Sequence, residues 1–315
     1  MNLVYVAPAE RPVTVDPWPG LRHVLIMPDG DRIDITDWRQ SGVLLTDDGT
    51  RGLTRPEWTM YHAESPIVHG ARYLGHNAPM REVRLPLLIW NDDSSPEWTR
   101  HYRRFMQEMR PDRVIVWEVS EPDTGETRRL RMRFTGPEDD SVPVDPRSRG
   151  WWFTPLLFVA DDQPFWEGDV ISRYWSSYTG GQDFIDPVEL APPFYLSRAV
   201  TLDNAQVSNP GDEDVWPVWT ITASADGGGI DNWFVGVGDR TVGGPISLAP
   251  GEWVEVDTRP GRKTAYDNEG VRRTPELTER QWARIRSGER VPLNISMLGD
   301  GDIRVTLTPL YHECF

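Results

Sequence analysis

The 315-residue chain has very little cysteine and no long apolar run. Cys314 is the only cysteine, which excludes an intrachain disulfide framework and a cysteine-rich zinc site. The sequence has no run of about 18 apolar residues, the length that a membrane-spanning helix requires. The N-terminus also lacks the basic and apolar regions of a signal peptide. We therefore expect no membrane insertion.

Lysine is nearly absent, and acidic residues outnumber basic ones by 49 to 33. The formal net charge is -16, and Lys263 is the only lysine among the 33 Lys and Arg residues. A field of this sign repels phosphates, so we expect no nucleic-acid sequence recognition. Arginine suits bidentate pairing with carboxylates across interfaces, although GC-rich coding is the simpler explanation for its excess.

Motifs of enzymes and cofactor sites are missing. The sequence contains no GxSxG elbow, Walker loop or HExxH helix. Residues 236–241 begin like a dinucleotide loop but place Thr241 where the last glycine belongs. Carboxylates such as Glu118 and Asp257 could serve glycoside hydrolysis, but any acidic protein offers such pairs. We expect no catalytic residues and no cofactor.

Two patterns that suggest a metal site are incomplete. His62, His69 and His76 are seven residues apart, but a proline and two glycines interrupt any helix that would align them. The aspartates of residues 29–37 resemble a calcium loop, yet Ile33 and Asp34 occupy its fifth and sixth positions, where an EF-hand needs Asp or Asn and then Gly. Turn and strand-edge roles explain these residues better, and we expect no metal.

Turn-forming and aromatic residues are abundant, with 28 Pro, 27 Gly and 15 Trp. This composition is typical of many short strands. In the first half, residues 82–90 alternate as a strand, and a start signal at Ser94–Glu97 precedes an apolar stripe that predicts a helix over about residues 96–109. We interpret residues 1–162 as an α+β β-sandwich domain with one helix.

An arginine-rich strand face is the candidate subunit interface. Leu130, Met132 and Phe134 alternate strictly with three arginines, so one face is buried and the other is charged. The charged face could pair with acidic surface on a neighbouring subunit or simply face water. The candidate interface residues are Arg129, Arg131 and Arg133.

The second half reads as strands with almost no helix. We interpret residues 163–200 as a packed linker, because glycine and proline pairs interrupt several aromatics there. Residues 201–315 then predict a β-sandwich or jelly roll. Its strand over residues 215–222 contains Pro217, which predicts an edge position or a bulge. The preceding turn predicts a type II geometry with Gly211 at positive φ.

Tryptophans on these strands raise a second possibility, stacking against sugars. Trp216, Trp233 and Trp253 are the candidate carbohydrate contacts. Core packing and subunit contact explain such large aromatics more often. An exposed Trp219 in a concave groove would favour the carbohydrate hypothesis.

Several stretches together resemble the distal tail proteins of siphophages, especially minor tail proteins of phages that infect actinobacteria. In the first half the resemblance rests on REVRLPLLIW, the helix over residues 94–110 and RRLRMRF. In the second half it rests on VSNPGDEDVWPVWTIT, LAPGEWVEVDTRPGRKTAYDNEGVRR and GERVPLNISMLGDGDIRVTLTPLY. Many relatives continue into an Arg- and Trp-rich tail that is not found after Phe315 in this sequence.

The resemblance implies a structural virion protein at the distal end of the phage tail. Residues 1–162 would form a homohexameric ring, and residues 201–315 would form a galectin-like sandwich that points outward. The implied partners are further copies of the chain, the tail tube protein, the tape-measure protein, and tail-tip hub or receptor-binding proteins. A carbohydrate-binding receptor module of the tail is the main alternative, and a cell-wall glycoside hydrolase is a weaker one.

Overall fold

The protein is built from two compact units. The computed structural model describes residues 18–37, 42–91, 95–139, 141–177, 199–201 and 205–315. The first unit comprises residues 1–167 together with Tyr311–Phe315, and the second comprises Gly168–Leu310. Within the described residues, no helix is both long enough and apolar enough to cross a membrane.

The first unit is built around an antiparallel sheet, with one substantial helix among the described residues. Its sheet has the order β2-β1-β7-β8-β9-β6-β3, and β10 pairs with β8 beside this path. Its elements are β1 (Arg22–Ile26), β2 (Arg32–Asp34), β3 (Val43–Leu45), β4 (Thr59–Ser65), β5 (Val68–Asn77), β6 (Arg81–Trp90), α1 (Ser95–Gln107), β7 (Ile115–Ser120), β8 (Thr127–Pro137), α2 (Pro146–Arg149), β9 (Trp151–Ala160) and β10 (Trp166–Glu167).

Alternating burial creates the core of the first unit. The apolar side chains at odd positions of β6 from Val83 to Ile89 are buried, as the alternation predicts. Helix α1 buries Trp98 and Phe105, and the Trp98 indole Nε1 donates to the Ile89 carbonyl at 3.4 Å. The predicted helix is confirmed with slightly shifted ends, and Ser94, the first residue of the predicted start signal, lies outside the described residues.

The C-terminal residues of the chain belong to the first unit because a buried arginine holds them there. Arg81 donates to the carbonyls of Gly52 at 2.7 Å, Thr54 at 2.8 Å and His312 at 2.9 Å. Burial lowers the pKa of this guanidinium to about 10. The Cys314 N–H completes the attachment by donating to the Leu53 carbonyl at 3.0 Å.

Two sheets form a sandwich in the second unit. One has the order β11-β21-β14-β17-β18, and the other has the order β12-β20-β15-β16-β19 with β13 also paired to β20. The elements are β11 (Ile171–Ser177), β12 (Ala199–Thr201), β13 (Gln206–Ser208), β14 (Val218–Ala223), β15 (Ile230–Val237), β16 (Arg240–Gly244), β17 (Trp253–Asp257), β18 (Thr264–Asp267), a 3₁₀ turn (Thr274–Glu276), β19 (Glu279–Arg280), β20 (Arg290–Gly299) and β21 (Gly301–Leu307). The last strand, β22 (Leu310–Tyr311), belongs to the nine-stranded sheet of the first unit, where it pairs with β10. The mainly β fold class with one long helix is confirmed.

The boundary between the units differs from the predicted one. Residues 171–177 fall in the predicted linker, yet they form strand β11, which pairs along its whole length with β21. Local patterns do not reveal this pairing, because the partner strand follows more than a hundred residues later. The linker's glycine and proline pairs at residues 180–181 and 192–193 lie outside the described residues.

The predictions for the first turn and strand of the sandwich were wrong in detail. Pro217 precedes β14 instead of interrupting it, and β14 occupies a central position in its sheet. The predicted edge position or bulge is therefore wrong. Gly211 does not adopt a positive φ. A side chain there would approach the Leu310 carbonyl oxygen to 2.6 Å, so close approach is what requires glycine. The Asn209 carboxamide instead organises the turn by accepting from the Gly211 N–H at 3.0 Å.

Candidate interaction surfaces

The predicted arginine face of β8 lies beside a matching row of carboxylates from the same chain. Arg129 Nε donates to Glu118 at 2.9 Å, and Arg131 Nε donates to Glu167 at 3.2 Å. The neighbouring strands β7 and β10 place these two acceptors beside β8.

The third arginine of this row is paired as well. Arg133 Nε donates to Asp161 at 3.0 Å, and the Arg133 guanidinium lies 3.9 Å from the Asp162 carboxylate. The charges of the row are therefore balanced within the chain, which the sequence could not reveal because the acceptors lie on other segments.

Glu118 is the acceptor at the end of this row. Its side chain is largely buried and contacts both Arg129 and Arg32. A buried carboxylate needs such partners, because leaving it unpaired would cost several kcal/mol, on the order of 3–5. Glu118 therefore has a structural role, which explains its position without any catalytic function.

The candidate sugar-stacking tryptophans are not brought together. Trp233 is fully buried in the sandwich core and offers no ring face to a ligand. Trp219 is also buried, whereas an exposed Trp219 would have favoured the carbohydrate hypothesis. Trp216 is half-buried and lies below the Lys263 ammonium, 5.7 Å from its ring centroid. Of the three candidates, Trp253 is the most accessible, with 37% of its surface exposed.

Trp253 lies on the outer face of the five-stranded sheet, which carries two further exposed rings. The register places Tyr174, Arg304, Thr220, Glu255 and Tyr266 in one row across the five strands. Both tyrosines are exposed. Sequence reasoning missed them because only the pairing of distant strands puts them on one face.

That face carries aromatic rings separated by hydrogen-bonding groups. Trp253 pairs with Thr222 on the neighbouring strand, and Asp302 pairs with Thr222 on the other side. Rings beside hydroxyl, carboxylate and guanidinium groups combine apolar contact with directional hydrogen bonds. Chemically, this arrangement could contact a sugar chain.

The first unit contains an open depression of about 460 Å³. It is lined on one side by β9 residues, including Trp151 and Trp152, and on the other by charged groups. Arg84 donates to Glu138 at 2.7 Å and to Asp48 at 3.1 Å there. These hydrogen bonds raise the pKa of the Arg84 guanidinium, with the largest effect from Glu138. These three charged side chains of the depression therefore pair with one another.

The aspartates of residues 29–37 act in turns and ion pairs. Asp34 accepts from the Thr36 N–H at 2.9 Å and from Arg22 Nε at 2.7 Å. Burial alone would raise the pKa of Asp34, but these bonds and one from the Asp37 N–H hold it below its ordinary value. Among the described residues, no group of three or more His, Cys, Asp or Glu side chains could hold a metal ion.

The three evenly spaced histidines lie on the β4–β5 hairpin, the two-stranded sheet formed by residues 59–77. His62 pairs with Tyr73, and His76 pairs with Met60. The His76 ring also meets the Trp58 ring edge-on at 4.7 Å. The spacing therefore reflects the two strands of a hairpin and not one face of a helix.

Known proteins similar to this chain include minor tail proteins of mycobacteriophages. No family model matches the sequence. The minor tail protein Gp27 of Mycobacterium phage L5 is 26% identical over 207 residues, and Gp27 of Mycobacterium phage D29 is 27% identical over 207 residues. Each alignment covers 63% of this chain and 60% of the relative's length.

Solved structures of phage hub proteins share the fold. The Dit protein (gp 19.1) of SPP1, described as a paradigm of the hub adsorption apparatus in phages that infect Gram-positive hosts, matches with a TM-score of 0.60 at 14% identity. The match covers 91% of this chain and 98% of that protein. This chain is related to phage minor tail proteins and has the fold of a Dit protein. A chain from the activated baseplate of phage P2 also matches, with a TM-score of 0.51 at 11% identity.

Both units of the Dit-like chain contribute to this similarity. A match over 91% of the chain extends beyond either unit alone. The expected resemblance to distal tail proteins is therefore confirmed at the level of the fold and of relationship to minor tail proteins.

Proposed function

We propose that the chain is a structural virion protein that forms a homohexameric ring at the distal end of a phage tail. The ring would join the tail tube to the tail tip or baseplate, and the protein would have no enzymatic turnover. The observation that carries this proposal is the Dit fold, matched over 98% of the SPP1 protein. The relationship to minor tail proteins supports it independently.

The proposed partners follow from that position in the virion. They are further copies of the chain, the tail tube protein, the tape-measure protein, and tip hub or receptor-binding proteins. Closed rings need head-to-tail contacts in which each copy uses two different patches. Electron microscopy of the purified protein tests the proposal, with closed six-fold rings as the expected result and single particles of one chain as the contradicting one.

The arginine row of β8, together with the carboxylates that pair with it, remains a proposed part of the ring interface. Its charges are paired within the chain, but the Arg131 side chain is 59% exposed and can reach a neighbour. Replacing Arg131 by Glu places a second acidic side chain beside Glu167. If this face is buried in the ring, the resulting repulsion should weaken the ring. An unchanged oligomer in Arg131→Glu would exclude the row from the interface.

Carbohydrate binding by the second unit is the alternative function. The exposed rings of Trp253, Tyr174 and Tyr266 on one sheet face favour it. An array of host-wall polysaccharides tests this function, and Trp253→Ala should abolish any binding observed, whereas Trp216→Ala should preserve it. Retention of binding in Trp253→Ala would exclude this face. Release of reducing sugar from cell walls would instead indicate a glycoside hydrolase.

A further inference from the structure

The β4–β5 hairpin is covered by nothing else in the described part of the chain. Every residue of β4 is exposed, and its strands pair only with each other. Ile67 at the connection between the strands is 90% exposed, and Met60 and Leu74 are each 62% exposed. Single exposed apolar residues are ordinary, but a concentration of them on one element marks an interaction surface.

Within the described ranges, neither edge of this hairpin pairs with a further strand. In a two-stranded sheet, the outer N–H and C=O groups of each strand point away from the partner strand, and these groups readily add another strand. An isolated hairpin is only marginally stable in water. Its two register shifts, after Tyr61 and after Glu64, further interrupt the ladder. The hairpin therefore gains order when a further surface covers it.

Charge indicates what kind of surface that is. Glu64 and Arg72 are the only Asp, Glu, Lys or Arg residues between positions 59 and 77, so the hairpin has no formal net charge in a chain of -16. Identical acidic copies repel each other over most of their surface. The exposed side chains of this element include Met60, Tyr61 and Tyr73, residue types that are enriched at interfaces. Its lack of net charge lets two copies approach without facing a net like charge.

We propose that the β4–β5 hairpin docks on a second copy of this chain and is one of the two patches that build the ring. This inference rests on the proposed function, which requires head-to-tail contacts between copies. The Trp58 ring contacts the His76 ring at the base of the hairpin, and the strands beyond this contact are exposed. Tyr61 and Leu74 supply apolar contacts at the docking surface.

Substitution of the hairpin and of a matched surface tests the proposal. Tyr61→Glu with Leu74→Glu places charge on the hairpin, and Tyr174→Glu with Val170→Glu places the same charge on exposed positions of the second unit. We expect native mass spectrometry to show that the hairpin pair raises the dissociation constant of the oligomer by at least about tenfold. The control pair should leave the oligomer unchanged.

The outcomes separate this proposal from the ring itself. A wild-type chain that stays monomeric at every concentration would overturn both. A wild-type oligomer that survives the hairpin substitutions would overturn the docking role alone and leave the ring standing. Circular dichroism of the hairpin variant distinguishes loss of contact from loss of fold.

Site-directed crosslinking gives a second test that does not depend on a disruptive variant. Cys314 is buried, and burial raises the pKa of its thiol to about 12, so it reacts slowly. A maleimide photo-crosslinker on Ile67→Cys therefore labels the hairpin selectively. We expect crosslinked dimers of the purified chain, while the same label on Val170→Cys should give few. Equal yields from both positions would contradict docking through the hairpin.

Discussion

Acidification should destabilise the first unit through His23. This histidine is fully buried, with the Trp18 ring 4.7 Å away and the Trp117 ring 5.7 Å away. Within the described residues, neither of its ring nitrogens has a hydrogen-bond partner. Burial lowers the pKa of His23 from 6.5 to about 4, although the Asp34 charge opposes this shift.

The sign and size of the effect follow from proton linkage. Between pH 6.5 and about 4, the unfolded chain binds a proton at His23 that the folded chain does not bind. The contribution of neutral His23 to stability is therefore complete above pH 6.5 and is lost as the pH falls toward 4. A shift of this size corresponds to a loss of about 3 kcal/mol in the free energy of unfolding.

Urea unfolding at a series of pH values tests this prediction. We expect His23→Phe, which fills the same site with a ring that cannot titrate, to reduce the loss of stability between about pH 7 and pH 4 by about 3 kcal/mol. The exposed His69→Phe should behave like the wild type. The reasoning is refuted if His23→Phe loses as much stability as the wild type over that range.

Further substitutions test the roles assigned to other residues. Trp233→Ala should cost about 3–5 kcal/mol of stability in the second unit, whereas the exposed Trp253→Ala should cost under about 0.5, and thermal unfolding compares the two. Arg81→Met should release the C-terminal segment, seen as faster hydrogen exchange at the Cys314 amide, and unchanged exchange would contradict the proposed attachment. Glu118→Gln should destabilise the first unit by about 2–3 kcal/mol in urea, and a cost near zero would show that the buried ion pairs contribute nothing.

Strands with one buried face could be predicted from the sequence, because apolar and polar residues alternate along such strands with a period of two. Residues 82–90 are an example, since their alternation predicted a strand and β6 buries the apolar side chains at the odd positions from Val83 to Ile89. The β4–β5 hairpin could not be predicted in this way. Both of its faces are exposed in the single chain, so no alternation of apolar and polar residues marks its strands.

The candidate surfaces depend on contacts between distant segments, which local patterns do not encode. The alternation around Arg131 predicted a charged strand face, but its acceptor Glu167 lies 36 residues away. Similarly, Tyr174 reaches the row of Glu255 only through three intervening strand pairings. Local alternation therefore predicted the charged face of this one strand, and topology decided which side chains share a surface.

The oligomeric state of the purified chain tests the central claim most directly. Native mass spectrometry over a range of concentrations, together with negative-stain electron microscopy, measures both the number of copies and their arrangement. We expect a homohexamer that appears as a closed ring. A chain that remains monomeric at the highest concentration, or that forms open filaments of undefined length, would contradict the proposed function.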